Sequence, residues 1–452
     1  MTEETYTSME SEEVVTLTES VGEELYNSSP LSIELVSTAA EFEALSDAWN
    51  TLAEAAVVHI FQTFEWQYTW WKHFGGSNQL HILCFRKDGQ LVGIAPFFLD
   101  IFRILGRPVY RALRLIGSSV MQPQGGGFYL QLAFSDYLSL ITLPEYEEKV
   151  MHSLEIYIRM QRKLFDEIIL DEIPENDPLI SYLIPLLDEH QWNYTMRDDS
   201  VCPVIDLPTS WDDLLKDLSS NARYQIRRHI RNATQKEMFQ IEEARTREEV
   251  ERAYEHLVEF HQRRWNKVGY PGVFADKRVH DFLEDGIYQL RSEDRLLVQS
   301  VKADGAYVAV DVLFRHRDSI YLIQRGFDDE SPVIKRSPGN ALLYTVIKDA
   351  IDKGYQCYEF LRGEEEYKSR TATRFVTNKN VILRHQASGK RFPSQVLALL
   401  HWYTSLKTRL VLERKILSIQ LEQHNFISAI GAYLRFLYQR IVEKMRKLWK
   451  RP

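Results

Sequence analysis

A chain of 452 residues with 44% apolar and 12% aromatic side chains has material for about two or three hydrophobic cores, which excludes a fibrous or wholly disordered protein. Its formal charge of −9 argues against a general DNA or RNA binder, and Cys84, Cys202 and Cys357 are too far apart for a metal-ligand spacing or a disulfide framework. The 13 histidines form no HExxH pair, the acidic start lacks a basic-then-apolar leader pattern, and no apolar run reaches the roughly 18 residues of a membrane span, so a reducing cytoplasm is the expected compartment.

In chain order, the first 26 residues hold eight Glu and no Lys or Arg, so residues 1–30 read as an acidic disordered tail. LSIELVS from Leu31 alternates like a strand, and the spacing predicts one helix over Ala40–Ala56. FEWQYTWWKHF follows as a helix dense in aromatics. LHILCFRKDGQLVGIAPFFLD then gives two apolar runs broken at Asp88-Gly89, a hairpin signal. The same pattern recurs 216 residues later, where RLLVQSVKADGAYVAVDVLFRH breaks at Asp304-Gly305 and QLVGIAPFF lies over AYVAVDVLF. Two related halves are expected, about 31–200 and 201–390. Between them Ser210 and Ser219 or Ser220 are helix caps, and Arg223, Arg227 and Arg231 share a helical face with Arg228 beside it. That face reads as a solvated surface, an anion contact or a packing face. Residues 391–452 carry a helical pattern, and from His401 to Pro452 there are eleven Lys/Arg against three Glu. Such an extension either lies on an anionic membrane face as a peripheral contact or docks on the body.

The stretch from Ile320 to Lys368 is the richest. Tyr321–Gln324 is strand-like, Arg336-Ser337-Pro338-Gly339-Asn340-Ala341 opens an amphipathic helix over Ala341–Lys353, Gly354 stops it, and Cys357–Leu361 is a strand. A loop at a helix N-terminus after a strand is a natural anion site, so a phosphorylated cofactor is expected there. Arg325 and Gly326 sit at the strand end beside it. Asp311 interrupts an apolar strand and should not be buried unpaired. Asp136-Tyr137 heads an apparent strand, YLSLITL, where Asp136 either binds a substrate or caps a turn. The turn Gly363-Glu364-Glu365-Glu366-Tyr367-Lys368 gathers carboxylates, a phenol and an ammonium; the alternative is a solvated acidic turn with Tyr367 packed as core.

FEWQYTWW, GIAPFF, LRLIGSS…FSDYLSL, FHQRRW, RGFD, SPGNALL and FLRGEEEYK, in that order, resemble the tandem acyltransferase arrangement of the GNAT superfamily, in its CelD-type, polysaccharide-associated branch related to FemAB. The resemblance spans residues 31–390. It implies a mixed α/β (α+β) fold of two tandem GNAT-like domains with sheets flanked by helices, here followed by the helical extension. It also implies transfer of an acyl group from acyl-CoA, acetyl-CoA first, to a small-molecule or glycan amine such as an amino sugar. The family's Arg/Gln-x-x-Gly-x-Gly/Ala loop falls on Arg336, Ser337, Gly339, Asn340 and Ala341, with Pro338 removing one backbone donor. Glu365 matches the acidic position before Tyr-Lys and is the expected base, with Tyr367 as acid and Asp136 as a further catalytic candidate. Lys368, Asp311 and Tyr137 are expected at the substrate. A FemAB-like aminoacyl transferase using charged tRNA, or a non-catalytic accessory protein of a polysaccharide complex, is the alternative.

Overall fold

The computed structural model describes residues 31–104, 106–119, 135–216, 218–234, 239–267, 272–291, 294–363 and 365–386, together with the two-residue strand β1 (Val14–Val15). The remainder of the expected acidic tail and the expected extension 391–452 lie outside the described residues. The chain divides into two compact units. Within the described residues, the first holds 14–15, 31–118, 137–197 and 379–386, and the second holds 119, 135–136 and 198–378. No described helix is long and apolar enough to cross a membrane.

In the first unit β2 (Ser32–Val36) leads into α1 (Ala39–Ala44) and α2 (Ser46–Ala55). The Thr38 hydroxyl accepts the Glu41 N–H while the Glu41 carboxylate accepts the Thr38 N–H, a reciprocal cap written in the sequence as Thr-x-x-Glu. The single helix expected over Ala40–Ala56 is broken at Leu45, whose N–H turns back onto the Phe42 and Glu43 carbonyls. Next comes α3 (Phe64–Phe74), which buries Phe64, Trp66, Trp70 and Phe74. The hairpin of β3 (Gln79–Lys87) and β4 (Gln90–Ile104) turns through Asp88 and Gly89 at φ 50° and 83°, the left-handed pair of a type I′ turn. β5 (Arg107–Leu115) continues the antiparallel run. The strand expected from Tyr137 is only β6 (Ile141–Thr142), because Tyr137 sits at φ 56° and interrupts any extended run. After α4 (Glu147–Met160), β7 (Glu167–Pro174) pairs parallel to β5, and α5 (Ile184–Glu189) leads into β8 (Trp192–Asp206).

The second unit opens with α6 (Trp211–Lys216) and α7 (Ser220–Thr234), capped by the Ser210 and Ser219 hydroxyls, which accept N–H groups of Asp213 and Ala222. β9 (Gln240–Ala244), α8 (Arg247–Lys267) and α9 (Lys277–Arg291) precede the second hairpin, β10 (Leu296–Ala303) and β11 (Ala306–His316). Asp304 and Gly305 repeat the turn at φ 49° and 79°. Each hairpin also slips register once, between Phe85 and Arg86 and between Val301 and Lys302, at corresponding positions. β12 (Ser319–Phe327) is antiparallel to β11 and parallel to β13 (Cys357–Glu359). Between them α10 (Pro338–Asp352) lays Leu342, Leu343, Val346, Ile347 and Ala350 on the core, a 3- and 4-residue spacing that puts one helical face against the sheet. Gly354, at φ 82°, ends it as expected. α11 (Glu366–Ser369) and β14 (Arg374–His385) complete the described chain. In each unit the strands form both parallel and antiparallel pairs and carry helices, which is the mixed α/β class expected.

Candidate active site

β12 and β13 stay paired only from Ser319↔Cys357 to Tyr321↔Glu359, yet β12 runs on to Phe327. Past Glu359 the Phe360 N–H turns to the Pro203 carbonyl, 3.1 Å away, so the two parallel strands part at their carboxyl ends. Open α/β sheets bind ligands at such ends. α10 begins nearby, and Ser337 makes the sharp entry with φ 56° and ψ 60°. Pro338 occupies the first helical position, where a missing N–H costs nothing.

A cleft of about 550 Å³ lies against this helix start. Among the described residues its charged lining is wholly basic: Arg228, Lys335, Arg336 and Arg370, with His229 beside them. Arg370 is shared with Glu366, one helical turn away. Ser337, Asn340, Tyr344 and Tyr367 add polar groups to the walls. The His229 ring stacks on Tyr344 at 5.8 Å, and its buried Nδ1 has no hydrogen-bond partner among the described residues. Burial, with Arg228 adding to it, lowers the His229 pKa and favours neutral imidazole. Burial pushes the Tyr344 phenol up to about 12, and it raises Tyr367 as well, against the opposing pull of the Arg325 cation.

The structure gathers Arg336, Ser337, Asn340 and Tyr367 into this cleft and places the other expected site residues elsewhere. Ala341 is wholly buried in the core, and its N–H bonds to the Ser337 carbonyl. Ser337 and Asn340 N–H groups also have backbone partners, so among the described residues Gly339 alone keeps an N–H of this turn without one. Gly339 has no left-handed φ, and a Cβ on it would meet nothing within 4 Å. Gly326 is explained by packing, since a Cβ there would lie 2.8 Å from the Leu257 carbonyl oxygen of α8. Asp311 is completely buried and bound through both oxygens to Arg325. Asp136 accepts from the Arg362 side chain at 2.6 Å and from its backbone N–H at 3.2 Å, so it holds the loop after β13. Lys368 is buried too, donating to the Arg362 carbonyl at 2.8 Å and pairing with Glu365 at 3.2 Å. Tyr137 is buried against His59, their rings 4.5 Å apart. Glu365 is exposed at the start of α11.

Sequence reasoning missed Arg228, His229, Lys335, Tyr344 and Arg370 as a set. Ala222, Gln225, Ile226 and His229 form the face of α7 that lines the cleft, at i, i+3, i+4 and i+7. The more conspicuous stripe does not line it; Arg223 instead donates to the Lys216 and Leu218 carbonyls.

Residues 220–369, from α7 to α11, match the family profile described as Acetyltransferase (GNAT) domain. This stretch contains every residue of the cleft but Ser219, Arg370 and Thr371. The fold is similar to that of FemX, at 12% identity and TM-score 0.52, covering 76% of this chain and 97% of that one. The C-terminal domain of a putative lysylphosphatidylglycerol synthetase from Agrobacterium fabrum (9% identity, TM-score 0.46, 80% of this chain and 95% of that one) is similar at a lower level. So is a tandem GNAT protein from the clavulanic acid biosynthesis pathway (11%, 0.41, 77% and 98%). No curated protein matches the sequence.

Proposed function

We propose that the second unit is an acyltransferase that holds acyl-CoA, acetyl-CoA first, in the basic cleft and passes the acyl group to an amine. The observation carrying this is the all-basic charged lining where β12 and β13 part, inside the stretch that matches the GNAT profile. Coenzyme A brings phosphates that Arg228, Lys335, Arg336 and Arg370 suit by charge. Tyr367, neutral and in the cleft wall, is placed to protonate the departing thiolate. Glu365, two residues before it, is exposed and outside the cleft lining, and in this reading it takes the proton of the attacking amine through water. An amino sugar of a polysaccharide is the acceptor class that the CelD-like motifs favour.

The thermal midpoint of the full chain with acetyl-CoA tests the donor, because a ligand that binds only the folded state raises it. A rise that shrinks on Arg336→Gln and Arg370→Gln and at high salt supports the reading; an unchanged midpoint sinks it. One observation favours a second reading. The first turn of α10 offers a single unpartnered N–H where a phosphate loop would present several, so side chains, not backbone, would hold the donor. A FemAB-like charged-tRNA donor suits that arrangement. A midpoint raised by tRNA and not by acetyl-CoA selects it.

A further inference from the structure

We propose that Arg325, clamped by Asp311, is a positioning residue for Tyr367: its guanidinium fixes the phenol ring at the cleft wall and makes the phenol a readier proton donor. The inference rests on the reading of Tyr367 as the acid of the acyltransferase cleft.

The geometry supplies the link. Asp311 lies in mid-strand, paired in register with Gln299 on one side and Arg325 on the other. Its carboxylate is wholly buried, and the Arg325 side chain is 10% exposed. The pair is two-pronged, with Arg325 Nε 2.7 Å from Asp311 Oδ1 and Nη2 on Oδ2. A buried ion pair is weak evidence for a stability role, since apolar replacements of such pairs are often as stable or better. Its presence in a core strand asks for another purpose. The guanidinium carbon stands 5.4 Å from the centre of the Tyr367 ring. Phe360 meets that ring edge-on at 6.1 Å, so the phenol has a cation on one contact and an apolar wall on another. The charged groups facing Tyr367 are Arg325 from β12, Asp311 from β11, Arg264 from α8 and Glu365 from its own turn. Arg325 is the strongest of the influences that favour the ionised phenol, and it opposes burial.

In the transfer the amine nitrogen bonds to the thioester carbonyl carbon and the carbon–sulfur bond breaks. The thiolate takes the Tyr367 proton, and the ammonium proton leaves through Glu365 or water. Tyr367 is left as phenolate until water returns a proton. A half-enclosed phenolate is costly without a cation, and Arg325 supplies one held in place, because Asp311 binds its Nε and Nη2 through both carboxylate oxygens.

Asp311→Asn/Arg325→Gln together test this, since the pair leaves no ion buried alone. The full chain is labelled with 3-fluorotyrosine, and the Tyr367 fluorine resonance is assigned by its loss in Tyr367→Phe. We expect the Tyr367 titration midpoint to rise by about one pH unit in the paired variant. A midpoint that stays in place or falls overturns the proposal. Turnover of acetyl-CoA with glucosamine as probe amine gives a second readout. The paired variant should lose about tenfold in kcat with KM for acetyl-CoA little changed, and should lose nothing more in the Tyr367→Phe background. Losses that multiply across the two backgrounds overturn it, as does a loss confined to KM. If the acetyl-CoA reading itself is wrong, the melting midpoint will not respond to acetyl-CoA, while the fluorine titration still decides the role of Arg325.

Discussion

The two Asp-Gly hairpins share a turn, a bulge position and an apolar face, and one of the places where they differ is buried charge. Ala95 in β4 and Asp311 in β11 occupy corresponding positions, opposite Leu83 and Gln299, and both are fully buried. The first hairpin packs a methyl where the second packs a carboxylate with Arg325 behind Tyr367. The first unit buries charge too, but on other residues: Arg114 lies between Asp100 and Asp171, at 3.1 and 2.7 Å. One backbone pattern thus tolerates either choice, provided that the charge finds its partner across the ladder.

The largest effects break that difference outright. Asp311→Ala leaves Arg325 buried without its carboxylate and should cost about 3–5 kcal/mol, seen in urea unfolding. Ala95→Asp buries a carboxylate with no arginine opposite and should cost at least as much. Near-neutral results in both would mean that the two positions are interchangeable and the comparison empty.

The next effect compares Glu365, after parallel strand β13, with Glu172, on parallel strand β7. Glu365→Gln keeps shape and removes the base, so turnover of acetyl-CoA should fall by roughly 10²-fold while the acetyl-CoA midpoint shift persists. Glu172→Gln, in the first unit, should leave turnover unchanged. Equal losses would move the chemistry away from the second unit.

A smaller effect separates a buried carboxylate with a cation from one without. Burial pushes Asp177 up to about 6, although the Leu179 N–H and the Ser139 hydroxyl oppose it. Its folded pKa lies above the unfolded value of 3.8, so the folded state holds the proton more tightly. Asp177 therefore favours folding most below about pH 4, and that advantage is lost as pH rises to about 6. Asp177→Asn should flatten this slope and add on the order of 2 kcal/mol at pH 7. A wild-type stability that rises over that window contradicts the assignment.

The smallest concerns Gly339. With ordinary φ and open space around its Cβ position, Gly339→Ala should stabilise the chain by about 0.4–1 kcal/mol and leave the acetyl-CoA midpoint shift intact. Lost binding in a folded variant would show that a ligand needs the bare backbone.

Much of the scaffold was legible because its signals are local. Asp-Gly between apolar runs, Thr38 three residues before Glu41 and Gly354 after an amphipathic run each name a turn, a cap or a stop from adjacent residues. The site was legible only where it follows the chain, at Arg336, Ser337, Asn340 and Tyr367. Arg228 and His229 depend on which face of α7 turns inward, and two basic faces compete in the sequence; burial of Ile226 decides between them, and Tyr344 on α10 joins the site only through the His229 ring. The Asp311–Arg325 pair is hidden for another reason. Its members are 14 residues apart and meet only through the antiparallel register, so either alone reads as a candidate ligand contact. Tyr137 misled because a buried aromatic in an apolar run looks like strand until its positive φ is known.

The division of the chain bears on the order in which it is made. Asp171 and Glu167, on β7, receive hydrogen bonds from Asn380 and Arg384, which are 209 and 217 residues further on. On the ribosome the whole of 198–378 is therefore translated before the first unit can finish its own polar network. The buried carboxylates of the unit that emerges first thus wait on residues made only after 198–378. Cutting the gene after residue 197 would reproduce that waiting state, whereas a permuted gene that splices 379–388 onto the first unit should relieve it.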